Sequence, residues 1–388
     1  MEGFSEVSIR LTRELLKTTK KAEGIYFTPP AIVKYIYDFV SERVSLDGKA
    51  TVLEPSCGSG EFLEYFNGNL TAIEKNPVVY KTVKEKYPYV LQGDFLEHSF
   101  DKQFDLIVGN PPYFVMPKGE VNSRYYKYFE GRPNIYILFI IKSFELLNEK
   151  GILAFVLPTN FLNCIYYNPL RKYLAEFNIM DISITSEQFL ETAQEICVFI
   201  VQKSPKKHDH FVLRLGEIVL FKPQSDNVKI QRLLKGTTTL SKLGCKLSIG
   251  TVIWNECKRE LTNDATKPVL IYNGDIKNNR LVIQKYTDVS KKNYINRTGS
   301  TDKVILINRG YGVGKYSFNY CLIDPENDKA LANGYLVENH CIVLHSSDTG
   351  LIMKSFGDKR TQEFISLVFS NNAVNIQEMY FILPVFLS

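Results

Sequence analysis

Along the first half of the chain, short apolar runs alternate with stretches whose apolar residues recur every three to four positions. Behind Thr28, placed to cap a helix, and Pro29, placed at its first position, Ile32, Val33, Ile36, Tyr37 and Val40 lie at helical spacing. Strand-like runs occupy 51–53, 70–73, 89–92, 104–108 and 152–157, and helices are predicted from Asn76 to about Tyr87, over 134–148 and near 170–177. That alternation predicts an α/β fold, a doubly wound and mostly parallel sheet. The runs 179–185 and 196–202 predict an antiparallel pair closing the sheet, and the basic, amphipathic residues 1–22 predict a short helix.

Past a polar stretch at 203–210 that contains Pro205, helical periodicity weakens. Short alternating strands at 269–272, 281–284, 304–307 and 341–344 take over. A chain of 388 residues exceeds one comfortable core. The expected division is a first domain at 1–203, a connecting segment at 204–235, and a mainly β or α+β domain at 236–388.

The polar residues of the first domain collect where its strands end. Glu54, Glu74, Asp94 and Asn110 finish four successive strands, and ligands of a parallel sheet lie at its carboxyl edge. Any one of these polar residues reads most simply as a cap or a solvated turn; four in succession point to a site. Glu54 opens a glycine turn, Pro55-Ser56-Cys57-Gly58-Ser59-Gly60, that lacks the full Gly-x-Gly-x-x-Gly fingerprint. Glu74 falls about twenty residues after the first strand tip, where an acid reaches the hydroxyls of a ribose.

Asn110-Pro111-Pro112-Tyr113 supplies the candidate chemistry. Two prolines stop the preceding strand and stiffen an extended loop. The loop offers the Asn110 side-chain carbonyl, the Pro111 main-chain carbonyl and the Tyr113 ring. An exocyclic amine on a nucleobase is a poor nucleophile until acceptors hold both its hydrogens and favour a pyramidal nitrogen. The two carbonyls can do that while Tyr113 stacks on the ring, and an aligned methyl donor completes the reaction.

Charge separates the halves further. Residues 1–202 carry 21 Lys and Arg against 25 Asp and Glu, and residues 203–388 carry 26 against 17, so the basic excess sits where a polyanion-binding module is expected. Residues 114–133, with Lys118, Arg124 and Lys127, read as a mobile flap that orders on substrate. The stretch from Asn308 to Tyr316, with Arg309, Tyr311 and Lys315, mixes cations and rings on a glycine-rich loop suited to grooves and bases.

The seven scattered cysteines read as reduced residues of an intracellular, cytoplasmic protein. The histidines, His208-Asp209-His210 included, form no metal constellation, so no metal is expected. No apolar run is long enough to cross a bilayer and the N-terminus is polar, so neither membrane nor secretion is expected.

In this order, Phe27-Thr28-Pro29-Pro30, Leu53-Glu54-Pro55-Ser56-Cys57-Gly58-Ser59-Gly60, Glu74, Asp94-Phe95 and Asn110-Pro111-Pro112-Tyr113 resemble the gamma-type DNA adenine-N6 methyltransferases, the TaqI-like group of type II restriction–modification enzymes. The likeness covers most of the first half, including Asn134-Ile135-Tyr136, 158–162 and Glu187-Gln188-Phe189, and is faint beyond it. It implies a Rossmann-like class I methyltransferase domain followed by a target recognition domain. It implies S-adenosylmethionine as cofactor, bound by Thr28, Glu54, Cys57, Gly58, Gly60, Glu74, Asp94, Phe95 and Phe139. It further implies that Asn110 and Pro111 hold the target amine while Tyr113 and Phe189 enclose a flipped base; the two loops rich in cations and rings offer Lys118, Arg124, Lys127, Arg309, Tyr311 and Lys315 as the candidate DNA contacts.

The partner implied is double-stranded DNA, met by a monomer in the cytoplasm, or in an infected host cell if the chain is viral, with a cognate restriction endonuclease acting separately. Thr192 stands where the TaqI-like pattern has a lysine. Alternatives left open are the 4-amino group of cytosine and, more distantly, RNA or a protein glutamine. Asn110 leans towards adenine, and a basic domain placed after the cofactor fold leans towards DNA.

Overall fold

The computed structural model describes residues 4–44, 48–66, 68–185, 187, 189–190, 195–310, 316–369 and 374–387. Their contacts divide the chain into two units, 1–227 and 228–388.

The first unit opens with α1 (Glu6–Glu14), α2 (Lys17–Glu23) and α3 (Pro30–Ser41). There follow β1 (Val52–Glu54), β2 (Leu70–Glu74), α4 (Pro77–Lys86), β3 (Leu91–Gln92) and β4 (Phe104–Gly109). After these come α5 (Ile135–Leu146), β5 (Leu147–Pro158), α6 (Asn168–Leu174), β6 (Phe177–Thr185), β7 (Ile196–Pro205), β8 (Val212–Leu215) and β9 (Ile218–Phe221). The main sheet runs β3-β2-β1-β4-β5-β7-β6. Pairing is parallel from β3 through β5 and antiparallel where β7 meets β5 and β6. This is the Rossmann-like class I methyltransferase arrangement, with the antiparallel pair at its edge as expected.

Alternation along the strands fills two layers, because successive side chains leave opposite faces. Leu106 and Val108 pack with Ile32, Val33, Ile36 and Val40 of α3, whereas Ile107 packs on α5, whose residues Ile135–Phe144 are all buried. The order of strands reverses between β1 and β4, and the gap at that reversal, beyond the strands' carboxyl ends, is where this fold opens a crevice.

Helix α7 (Gln224–Leu233) spans the division. The second unit then holds β10 (Thr237–Thr239), β11 (Lys246–Ile249), β12 (Leu261–Thr262), β13 (Val269–Ile271), β14 (Ile276–Lys277), β15 (Arg280–Leu281), β16 (Tyr294–Ile295) and β17 (Val304–Asn308). It continues through β18 (Tyr320–Ile323), β19 (Tyr335–Val337), β20 (Cys341–His345), α8 (Thr349–Gly357), α9 (Lys359–Val368), α10 (Ile376–Phe381) and β21 (Pro384–Phe386). Two four-stranded sheets, β11-β20-β17-β18 and β12-β16-β13-β19, carry its core.

Several expectations are corrected. Helix α3 starts one residue late: Pro29 is the cap and Pro30 the first helical residue, because two prolines can both precede the first needed N–H. Within the expected connecting segment 204–235, the β8–β9 hairpin buries Val212, Val219 and Phe221 in the first unit's core. Buried Arg171 pins the hairpin, donating from Nε to the Val219 carbonyl at 2.6 Å. Residues 114–133 contain two 3-10 turns, 118–120 and 123–128, and are anchored by buried Val121, Tyr125, Tyr128 and Phe129 rather than forming a free flap. The second unit also contains three helices near its end that weak periodicity hid.

Candidate active site

At the tip of β1, Glu54 is buried to 1% exposure directly beside the end of β4. Gly109 makes that possible: a Cβ there would lie 2.3 Å from Glu54 Oε1. The Ser56 N–H donates to Oε1 at 3.2 Å, and Oε2 is buried with no hydrogen-bond partner among the described residues. Burial, reinforced by the charges of Glu74 and Glu61, pushes the Glu54 carboxyl well above the usual carboxylate range. An acid so placed calls for a cation to share its second oxygen.

Glu74, ending β2, accepts from the Gly58 N–H at 2.9 Å and the Asn76 N–H at 2.7 Å, which locks the glycine turn to the start of α4. Burial pushes its carboxyl up to about 7 against those two donors. Asn76 caps α4, its side chain accepting from the N–H groups of Val78 and Val79. Past β3, Asp94 pairs with Lys75 at 2.8 Å and accepts from the Leu96 N–H, while the Phe95 ring lies 5.0 Å from that of Phe139.

These residues line one cleft of about 730 Å³, counting space open to solvent. Gly58, Glu74, Asp94, Phe95, Phe139 and Asn110 of the expected set are on its walls. Thr28, Glu54, Cys57 and Gly60 are buried in the same region but do not line the cleft. Cys57 packs with Leu63, Ala72, Val83 and Val90. Gly60 fits against Tyr87, whose ring a Cβ would meet at 2.8 Å.

Asn110 stands between the cleft and an aromatic group. Its Nδ2 donates to the Tyr26 carbonyl at 2.9 Å, which fixes the amide and leaves Oδ1 as the acceptor. That oxygen accepts from the Tyr113 hydroxyl, which also reaches the Val156 carbonyl at 2.8 Å. Burial raises the Tyr113 phenol well above its ordinary value, so it remains a donor. Tyr26 and Tyr113 are stacked with centroids 6.0 Å apart, and Phe189 lies 5.8 Å from Tyr26 and 6.3 Å from Tyr113. Gly24, in the left-handed region at φ 65° where α2 ends, lets this happen, because a Cβ would lie 2.4 Å from the Tyr113 nitrogen.

The expected surface cations vary. Lys118 lies over the Tyr126 ring and Lys127 over Tyr128, while Arg124 pairs with Glu145 at 3.7 Å. Arg309 is half-buried, with its guanidinium turned to the Asn339 carbonyl at 3.3 Å. Tyr311, Lys315, Gln188 and Thr192 lie outside the described residues. Three contributors escaped the sequence reading: Tyr26, Lys75, and Ser56, whose Oγ donates to the Asn110 carbonyl at 3.2 Å. Ser56 sits inside the glycine-turn motif and Tyr26 directly precedes Phe27-Thr28-Pro29-Pro30, so the signal was adjacency; their contacts run through main-chain atoms.

The sequence is similar to known proteins over 97% of its length. The family model for Eco57I restriction-modification methylase matches residues 61–189. Type II methyltransferase M.CvrRI of Paramecium bursaria Chlorella virus XZ-6E is 30% identical over 97% of both chains. Modification methylase CviBIII of Paramecium bursaria Chlorella virus NC1A is 27% identical, again over 97% of each. Among solved structures, the type IIG restriction endonuclease BpuSI is similar with a TM-score of 0.44 at 11% identity, over 96% of this chain and 59% of that one. End-to-end identity at this level, joined to the sheet order and the strand-tip acids, places the chain in the family of type II restriction–modification methyltransferases.

Proposed function

We propose that the protein transfers a methyl group from S-adenosylmethionine to the 6-amino group of adenine in double-stranded DNA. One observation carries the reading: Tyr26 holds the amide of Asn110 so that its oxygen meets the Tyr113 hydroxyl, beside the rings of Tyr26 and Phe189, while Asn110 also borders the cleft. An acceptor poised between a cleft and a ring stack suits an amine on a planar base.

The residues present fit the donor. The partnerless Glu54 Oε2 suits an α-ammonium, the ionised Glu74 suits ribose hydroxyls, and Phe95 and Phe139 suit the faces of adenine. Gly58, at φ 53°, leaves the wall of the turn open. When bound, this cofactor supplies an electrophilic methyl group.

The chain's own groups do the remainder. Asn110 Oδ1 and the Pro111 carbonyl accept the two hydrogens of the target amine and draw its lone pair out of the ring. Tyr113 and Phe189 take the faces of the base and Tyr26 closes beside them, offsetting the cost of about a few kcal/mol for leaving the stack. To reach Oδ1 the amine displaces the Tyr113 hydroxyl.

DNA as substrate is supported by the relatives, which are named as type II methyltransferases and a modification methylase. The second unit, with 21 basic against 14 acidic residues, is assigned to target recognition through phosphate and base-edge contacts. Replacing Asn110 with Ala tests the reading: methyl transfer is expected to fall by about a hundredfold or more while duplex binding persists. Retained turnover contradicts the role given to Asn110.

A further inference from the structure

We propose that Lys142, in the middle of α5, is a positioning residue that holds the floor of the donor's adenine subsite. This rests on the donor site proposed above. The side chain is buried to 8% exposure, yet its ammonium is fully engaged: it donates to the carbonyls of Phe95 at 2.6 Å, Leu96 at 2.9 Å and His98 at 2.7 Å. An ammonium has three N–H groups, and three carbonyls take them all. The charge also sits 5.1 Å from the centre of the Phe95 ring.

All three carbonyls belong to the loop leaving β3, the loop that sets Asp94 and Phe95 on the cleft wall. Local bonds do part of the work. The N–H groups of Glu97 and His98 reach the Asp94 carbonyl at 3.1 and 2.9 Å, and that of Leu96 reaches the Asp94 side chain at 2.9 Å. These tie the loop to itself and leave its outward carbonyls for Lys142. Phe139, three residues earlier and one helical turn away, faces the same cleft and packs on Phe95. One turn of α5 therefore supplies both a ring for the adenine and the clamp that keeps the opposing ring in place.

The surroundings suit a structural cation. Burial and the charge of Arg124 pull its pKa below the ordinary lysine value, while Glu97, Asp94 and Glu145 oppose them. A neutral side chain in its place leaves three carbonyls without their partner beside an apolar layer, and the loop is free to settle elsewhere. Lys142 touches no reacting atom, so its effect belongs to donor affinity rather than to the methyl-transfer step.

The experiment titrates the full-length chain with S-adenosylhomocysteine by calorimetry, and with duplex DNA in the absence of donor, for the unsubstituted protein, Lys142→Met and Lys142→Gln. Lys142→Met is expected to bind S-adenosylhomocysteine at least tenfold more weakly, and Lys142→Gln, whose amide serves two of the carbonyls, to lose an intermediate amount. DNA affinity stays within about twofold, and the KM for the donor rises with kcat at saturation little changed. Should Lys142→Met not fold, the intermediate loss in Lys142→Gln carries the test. Unchanged affinity in either folded variant, or an equal loss of DNA affinity, overturns the proposal. If the unsubstituted protein does not bind S-adenosylhomocysteine, the donor reading itself has failed, a result distinct from failure of the Lys142 assignment.

Discussion

A carboxylic acid removed from water keeps its proton unless something positive meets it, and Glu54 and Glu74 answer this differently. Glu54 has an unshared oxygen; Glu74 has two N–H donors and titrates at about 7. Because the folded value of Glu74 lies above the ordinary 4.5, the folded state binds the extra proton between those two pH values. The contribution of Glu74 to stability is then present below about 4.5 and declines as pH rises towards 7, by an amount on the order of a few kcal/mol. Glu74→Gln is expected to flatten the fall in Tm over that window; an unaltered pH profile by scanning calorimetry rejects the titration. Donor affinity should run the other way, rising through pH 7, because ribose hydroxyls donate to the ionised form.

Tyr113→Phe probes the other shared oxygen. Removing the hydroxyl that occupies Asn110 Oδ1 is expected to leave kcat/KM for DNA unchanged or raise it up to about tenfold, the worth of one hydrogen bond. A large fall means the hydroxyl assists the reaction. Glu54, Glu74, Asp94 and Asn110 were legible in the sequence because each ends an apolar run. Lys142 and the Tyr26 carbonyl were not, because each bond joins a side chain to a main-chain carbonyl 44 to 84 residues away, brought close only by the closed fold.

The helices and strands of the first unit follow from hydrophobic period. The main sheet was readable from runs such as Phe104–Gly109, whose residues are nearly all buried, as a strand covered on both faces requires. The β8–β9 hairpin was missed because its two strands of four residues each follow the charged and polar run at 203–210. The helices α8, α9 and α10 are 9, 10 and 6 residues long, too short to show a convincing period. Where β4 ends, Gly109→Ala puts a methyl group against Glu54 Oε1, and the expected cost is about 1 to 3 kcal/mol with weakened donor binding. Thermal unfolding and calorimetry on that variant check both; a variant as stable and as tight as the parent shows that Glu54 is free to move.

Considered as a whole, the chain divides its charge as it divides its contacts: the first unit has 26 basic and 28 acidic residues, the second 21 and 14. A near-neutral fold with a built cleft and a basic partner unit fit a division between chemistry and target recognition. Residues 1–235 alone are expected to keep donor binding and to lose sequence preference in DNA binding; a fragment that still selects one sequence contradicts the assignment. The most direct test of the central claim is to incubate duplex DNA with the protein and methyl-labelled S-adenosylmethionine, digest the DNA to nucleosides and identify the labelled one. Label is expected in N6-methyl-2′-deoxyadenosine from the parent protein, and none is expected from Asn110→Ala. Label in N4-methyl-2′-deoxycytidine, or equal labelling by the Asn110→Ala variant, contradicts the adenine-N6 assignment.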